Sequence, residues 1–112
     1  MSYVPDVGDL VKLDLDPPVG HEEAGWRPAI VLSPKSYNRA SGLAVVAPIT
    51  NQVKGYPFEV PLPEGSKITG VVLVDHVKNV DWKTRRIRYK DKASAQLLND
   101  VRERLRLLLF PE

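Results

Sequence analysis

From Gly20 to Arg27 the chain reads Gly-His-Glu-Glu-Ala-Gly-Trp-Arg, the stretch richest in groups that can do chemistry. His21 and Glu22 can accept or donate protons, and Arg27 offers a planar fork of donors matched to phosphate oxygens. Trp26 can stack on an unpaired base. Glycines on either side let such a loop move over a substrate. Cleavage of RNA by its own 2′-hydroxyl needs this kind of combination, with neither a metal nor a protein nucleophile. It requires a base near the 2′-hydroxyl, a proton donor for the departing 5′-oxygen, and positive charge or hydrogen bonds around the crowded phosphorus. Each residue also has a plainer role open to it. His21, Glu22 and Glu23 fit a solvated loop, Trp26 fits a cap on the core, and Arg27 fits an ion pair with a loop acid.

Thr50 ends an apolar run just before a polar loop, where a strand holds a side chain firmly. The alternative is a turn threonine bonded to its own backbone. The candidate catalytic residues are therefore Arg27, Thr50 and Glu22. The candidate RNA contacts are His21, Trp26, Asn51, Gln52, Lys54 and Lys78. Asp75 and His76 fall between two apolar strand segments; an acid–base pair is conceivable there, but neighbours in a strand point to opposite faces, which argues against a dyad. The sequence has no phosphate-cradling glycine loop, nucleophile elbow, zinc spacing or calcium loop. With no cysteine and two histidines, neither a metal nor a cofactor is expected.

These residues must be held by a small scaffold. A chain of 112 residues predicts one domain spanning 1–112, with one modest core. The absence of cysteine excludes a disulfide framework and fits a reducing compartment. No stretch approaches the roughly 18 apolar residues of a membrane span, and Met1 to Lys12 lacks the pattern of a signal peptide. A soluble, cytoplasmic protein is the expectation. The net charge of +2 predicts no partner, but its distribution is uneven. Residues 1–26 hold six acids against Lys12 alone, while residues 78–92 hold seven bases against Asp81 and Asp91. A basic segment containing Trp82 and Tyr89 can attract a polyanion; it can equally be a solvated hairpin face.

Val11, Leu13 and Leu15 alternate with Lys12, Asp14 and Asp16, which predicts a half-buried strand over Leu10 to Asp16, ended by Pro17 and Pro18. A long polar loop follows to Gly25, and Pro28 to Leu32 reads as a buried strand. Ser33-Pro34 opens a short helical turn over Lys35 to Arg39. Leu43 to Ile49 is the next strand, with Pro48 suggesting an edge or a bulge. Further strands are expected at Phe58 to Leu62, Val71 to Val74, Val77 to Val80 and Arg86 to Tyr89. From Ser94 the period changes: Leu97, Leu98, Val101, Leu105, Leu108 and Leu109 fall on one face of a helix. Many short strands with Gly/Pro turns predict a mainly β fold, a small barrel, with the terminal helix covering an open end or an edge.

Several blocks carry a further signal. Tyr3 to Leu10, Asp14 to Pro17, Gly20 to Ser33, Pro48 to Thr50, Lys54 to Val60 and Gly70 to Lys78 resemble, in order and spacing, the MazF/PemK toxins of type II toxin–antitoxin systems. The resemblance implies an SH3-like barrel of the MazF/PemK/CcdB kind, forming a homodimer with RNA crossing a concave face. It implies a sequence-specific, metal-independent endoribonuclease that cuts single-stranded RNA to a 2′,3′-cyclic phosphate and a 5′-hydroxyl. It also implies a MazE-like antitoxin whose acidic tail occupies the RNA groove. By position, Arg27 and Thr50 match the family's principal catalytic residues, Glu22 its loop glutamate, and His21 a histidine of some PemK-like members. Asp75 matches an acid of the PemK branch, but the arginine that accompanies it there is Leu73 here, so that mechanism does not transfer. Two other readings compete: a non-catalytic nucleic-acid-binding module of SH3-like form, and a topoisomerase poison like the CcdB relatives.

Overall fold

The structure, a computed structural model, describes residues 3–15 and 26–111. Strand β1 (Asp9–Asp14) and strand β2 (Trp26–Val31) run antiparallel, with Leu13 opposite Arg27 and Val11 opposite Ala29. Val11, Leu13 and Leu15 share one face and pack with Ala29, Val31, Ala44, Val46 and Trp82, as their alternation predicts. Leu10 and Ile30 turn to the other face and enter a second core with Ile49, Val60 and Val72. The sheet is thus apolar on both faces, and each face needs its own cover.

Helix α1 (Lys35–Ser41) follows Ser33-Pro34 and stops at Gly42, whose left-handed φ of 75° lets its N–H return to Asn38 O. Asn38 is fully buried. Its side chain accepts a bond from Ser33 Oγ at 2.6 Å and donates to Pro5 O at 2.8 Å and Ser33 O at 3.0 Å. Its backbone carbonyl accepts the Trp82 indole N–H at 2.9 Å. Four segments meet at this one residue.

Strand β3 (Leu43–Thr50) is central. It pairs with β2 on one side; on the other it pairs first with strand β6 (Lys78–Asp81) and then, at its end, with strand β5 (Val71–Leu73). Pro48 therefore lies inside the sheet and not at an edge. Leu32 N–H bonds to Val45 O, so counting along the ladder makes Ala29–Pro48 a non-hydrogen-bonded pair. The proline nitrogen faces the side where pairing passes from β6 to β5, and no ladder bond is lost.

Strand β4 (Glu59–Pro61) pairs with β5 at one edge, and strand β7 (Arg88–Lys92) pairs with β1 at the other. The two edges do not pair with each other, so the barrel is open. The gap is spanned by a bond from Lys67 N–H to the Asp91 carboxylate at 3.3 Å and by helix α2 (Ala95–Leu109). Ser94 caps α2 by accepting Leu97 N–H at 3.1 Å. Leu97 and Val101 enter the second core, and α2 packs on the edge strand β4, as its amphipathic face predicts.

Two local expectations are corrected. The strand expected at Arg86 to Tyr89 begins at Arg88, because Arg86 sits in a turn with φ of 55°. Val74–His76 is a short 3-10 turn and not a strand, so the opposite-face argument about Asp75 and His76 does not apply.

Candidate active site

Strand alternation decides which side chains can meet. Ala29 pairs with Pro48 at the end of the β2–β3 ladder, and Arg27 and Thr50, two residues further along each strand, fall on the same face as that pair. Lys78 pairs with Val46, which shares its face with Pro48 and Thr50. Arg27, Thr50 and Lys78 accordingly line one open depression of about 260 Å3, together with Leu15, Pro48, Ile49, Leu73 and His76. Arg27, His76 and Lys78 are exposed, and two cations and an imidazole share the hollow. Such a surface suits a phosphodiester, since guanidinium and ammonium groups can neutralise its charge and donate to its oxygens. His76 was not placed among the site residues by sequence reasoning. The 3-10 turn that delivers it leaves no periodic signal.

The Thr50 hydroxyl accepts Gln52 N–H at 3.1 Å. The local bond of a turn threonine is therefore present, and it coexists with a site role because it uses a lone pair and leaves the hydroxyl proton to donate. Gly70 has φ of 116°, and a Cβ built on it would lie 2.2 Å from Thr50 O. Only glycine allows the two backbones to approach so closely.

The loop after Thr50 is tied down at several points. Asn51 Oδ1 accepts the Thr69 hydroxyl at 3.1 Å. The buried Glu59 carboxylate accepts Gly55 N–H at 2.8 Å, and Lys54 N–H at 3.0 Å and 3.2 Å on its two oxygens. Glu59 N–H returns to Tyr56 O at 3.1 Å. Desolvation, followed by the carboxylates of Asp75 and Glu59, raises the Tyr56 hydroxyl above its ordinary pKa. Asn51, Gln52 and Lys54 are exposed on this loop, next to the depression but not among its lining residues.

Trp26 goes elsewhere. It lies on the opposite face of β2 from Arg27, its ring 5.8 Å from the Arg86 guanidinium and 5.5 Å from that of Arg88. The structure does not bring it to Thr50. His21 and Glu22 fall outside the described residues, as do the others of 16–25.

A small open barrel with an arginine, a threonine and a lysine lining one exposed hollow is the arrangement that the comparisons with known proteins can place. A profile of the PemK-like, MazF-like toxins of type II toxin–antitoxin systems matches residues 6–109, and the chain belongs to that family. It is 44% identical over 107 residues to the endoribonuclease toxin MazF of Escherichia coli (strain K12), covering 96% of each chain. The crystal structure of MazF (Form-I) from Deinococcus radiodurans superposes with a TM-score of 0.88 at 49% identity, over 96% of this chain and 98% of that one. The MazE-MazF (Form-II) structure from the same organism gives a TM-score of 0.87 at 45% identity, over 96% and 97%.

Proposed function

We propose that this chain is a sequence-specific, metal-independent endoribonuclease toxin that cuts single-stranded RNA to a 2′,3′-cyclic phosphate and a 5′-hydroxyl. The observation that carries the reading is that Arg27 and Thr50 line one hollow together with Lys78 and His76. The substrate 2′-oxygen attacks phosphorus as its proton passes to a base, and the P–O5′ bond breaks as a proton reaches the departing oxygen. Arg27 stays protonated, so its part is to clamp the phosphate and neutralise the charge that builds on it. The Thr50 hydroxyl donates to a phosphate oxygen. Glu22 or His21 accepts the proton, and His76 is a third proton carrier positioned in the hollow. Asn51, Gln52, Lys54 and Lys78 contact the RNA.

The working form is a homodimer, supported by Leu107, Leu108, Leu109 and Phe110, which stand exposed together at the end of α2. A MazE-like antitoxin inhibits it; relatives have been solved as MazE-MazF complexes. It acts in the cytoplasm, and no helix among the described residues is long and apolar enough to cross a membrane.

The test is to incubate the purified protein with a long single-stranded RNA in excess EDTA and to analyse the fragment ends. Cuts at a few short sequences, each leaving a cyclic phosphate, are expected from the wild type and not from Arg27→Ala. RNA binding without cutting would replace this reading with the binding module, and topoisomerase inhibition without cutting with the CcdB-like poison. A fully active Arg27→Ala would remove Arg27 from the site.

A further inference from the structure

We propose that Glu59 is a positioning residue that sets which RNA sequence the chain cuts, by holding the 51–56 loop in one shape beside Thr50. The inference rests on the endoribonuclease reading and adds a residue that touches no substrate.

Glu59 is a buried carboxylate on a short edge strand, an expensive place for a charge unless its oxygens are fully used. They are used on the loop: Lys54 N–H bonds to both oxygens and Gly55 N–H to one. Charge-assisted bonds to backbone N–H groups are about twice as strong as neutral ones, and here they fix backbone rather than another side chain. The near end of the loop is held separately, by Thr50 Oγ1 on Gln52 N–H and by the Thr69 hydroxyl on Asn51. With both ends fastened, Gln52, Val53 and Lys54 stand exposed in a segment of fixed shape that directly follows Thr50, a lining residue of the hollow. Glu59 also pairs with Leu73, a lining residue of the hollow, so the clamp is anchored to the wall of the site.

The chemistry at phosphorus does not need the loop, because Arg27 is held on β2 by its pairing with β1 and Thr50 on β3 by its pairing with β5. Discrimination between bases does need it, since a base is read only by groups held within about half an ångström. Glu59→Gln replaces one acceptor oxygen by an NH2 that confronts the Lys54 N–H, so the clamp opens while size and shape are kept.

The test compares wild type and Glu59→Gln on a mixed RNA pool, and on a short oligonucleotide carrying the preferred site against single-base variants of it. The expected result is a roughly tenfold loss of discrimination in kcat/KM between preferred and variant sites, with cuts spread over more sequences and kcat at the preferred site changed by less than about threefold. Unchanged cut sites and unchanged discrimination in a folded Glu59→Gln would overturn the proposal. So would a uniform loss of rate at every site, which is what a purely structural role predicts. If Glu59→Gln does not fold, Gly55→Ala takes its place. Its methyl enters open space but its φ of 86° disfavours a side chain, so it disturbs the same loop without touching the carboxylate. It is expected to broaden cutting in the same way, and unchanged selectivity there would overturn the proposal. Amide exchange at Lys54 and Gly55 reads the clamp independently of activity. Faster exchange in Glu59→Gln is expected, and equal protection in the two proteins would refute the clamp. A wild type that cuts no RNA defeats the endoribonuclease reading and the selectivity role together, and leaves the exchange result standing.

Discussion

Asn38 and Glu59 are both buried and polar, and both place their polar atoms on the backbone of other segments. Asn38 ties the N-terminal strap, the end of β2 and α1 together, and its carbonyl adds Trp82. Pro5, Ser33 and Trp82, the residues it holds, are themselves buried. Glu59 holds a loop whose other side is open to solvent. The same physics, satisfying buried polar groups with backbone partners, therefore gives two consequences. In the first region the bonds add to global stability. In the second they select one shape of a surface that would otherwise have several.

The largest effect on rate is expected at Arg27, the residue proposed to stabilise charge at phosphorus. Arg27→Ala should lower the cleavage rate by roughly a hundredfold to a thousandfold, the cost of removing a main charge stabiliser. The side chain is exposed, so its melting temperature should stay close to wild type. Arg27→Lys should recover only part of the rate, because an ammonium lacks the bidentate fork. A drop in stability comparable to the drop in rate would blur the division between the two regions.

Asn38→Ala is the complement. It leaves Pro5 O, Ser33 O and the Ser33 hydroxyl without their partner in a buried place, at a cost of about 3 kcal/mol. A fall in melting temperature of roughly 10–20 °C is expected by calorimetry. The cleavage rate per folded molecule, measured well below the transition, should not change. Gly70→Ala tests the boundary between the regions, because the scaffold there touches Thr50 itself. A methyl 2.2 Å from Thr50 O, at φ of 116°, forces the backbone apart, so both readouts should move. The expected cost is about 2 kcal/mol in stability, with roughly a tenfold loss of rate as Thr50 leaves its place in the hollow it shares with Arg27.

How much of this was legible in the sequence follows from what each signal encodes. Alternation at Val11, Leu13 and Leu15 and the 3.6-residue period from Leu97 to Leu105 report which side of an element is buried, and those elements appear where expected. Alternation does not encode register. That Arg27 and Thr50 come to one face depends on how β2 pairs with β3, and Trp26 points away from Arg27 because β2 begins at Trp26, ahead of the strand expected from Pro28. Glu59 and Asn38 read as ordinary strand and helix polars, since a carboxylate or amide bonded to distant backbone leaves no compositional trace. His76 was hidden because it falls between the strands expected at Val71 to Val74 and Val77 to Val80, where a single 3-10 turn leaves no periodic signal. Arg86 adopts φ of 55° without the glycine that would announce it.

The smallest expected effect belongs to the scaffold region and sharpens what "stability only" means. The Asp6 carboxylate accepts Lys35 N–H at 3.0 Å, at the start of α1, and Val7 N–H at 2.8 Å. The bond from Lys35 N–H, followed by that from Val7, lowers its pKa below the ordinary carboxylate value. A carboxylate with a depressed pKa in the folded state contributes stability above its unfolded pKa and loses it as pH falls through the folded one. Its contribution is therefore complete at neutral pH and fades below about pH 4. Asp6→Asn keeps an acceptor oxygen but not the charge, so it should cost a few tenths of a kcal/mol at pH 7, the scale of one exposed charge at a helix start. Urea unfolding at pH 7 and pH 3 should show the wild type's advantage at the first and little of it at the second. Cleavage by the two proteins at pH 7 should be equal, because Asp6 faces α1 and not the hollow around Arg27. An altered rate in Asp6→Asn would show that the N-terminal strap reaches the site, and would break the separation between the Asn38 region and the Glu59 region.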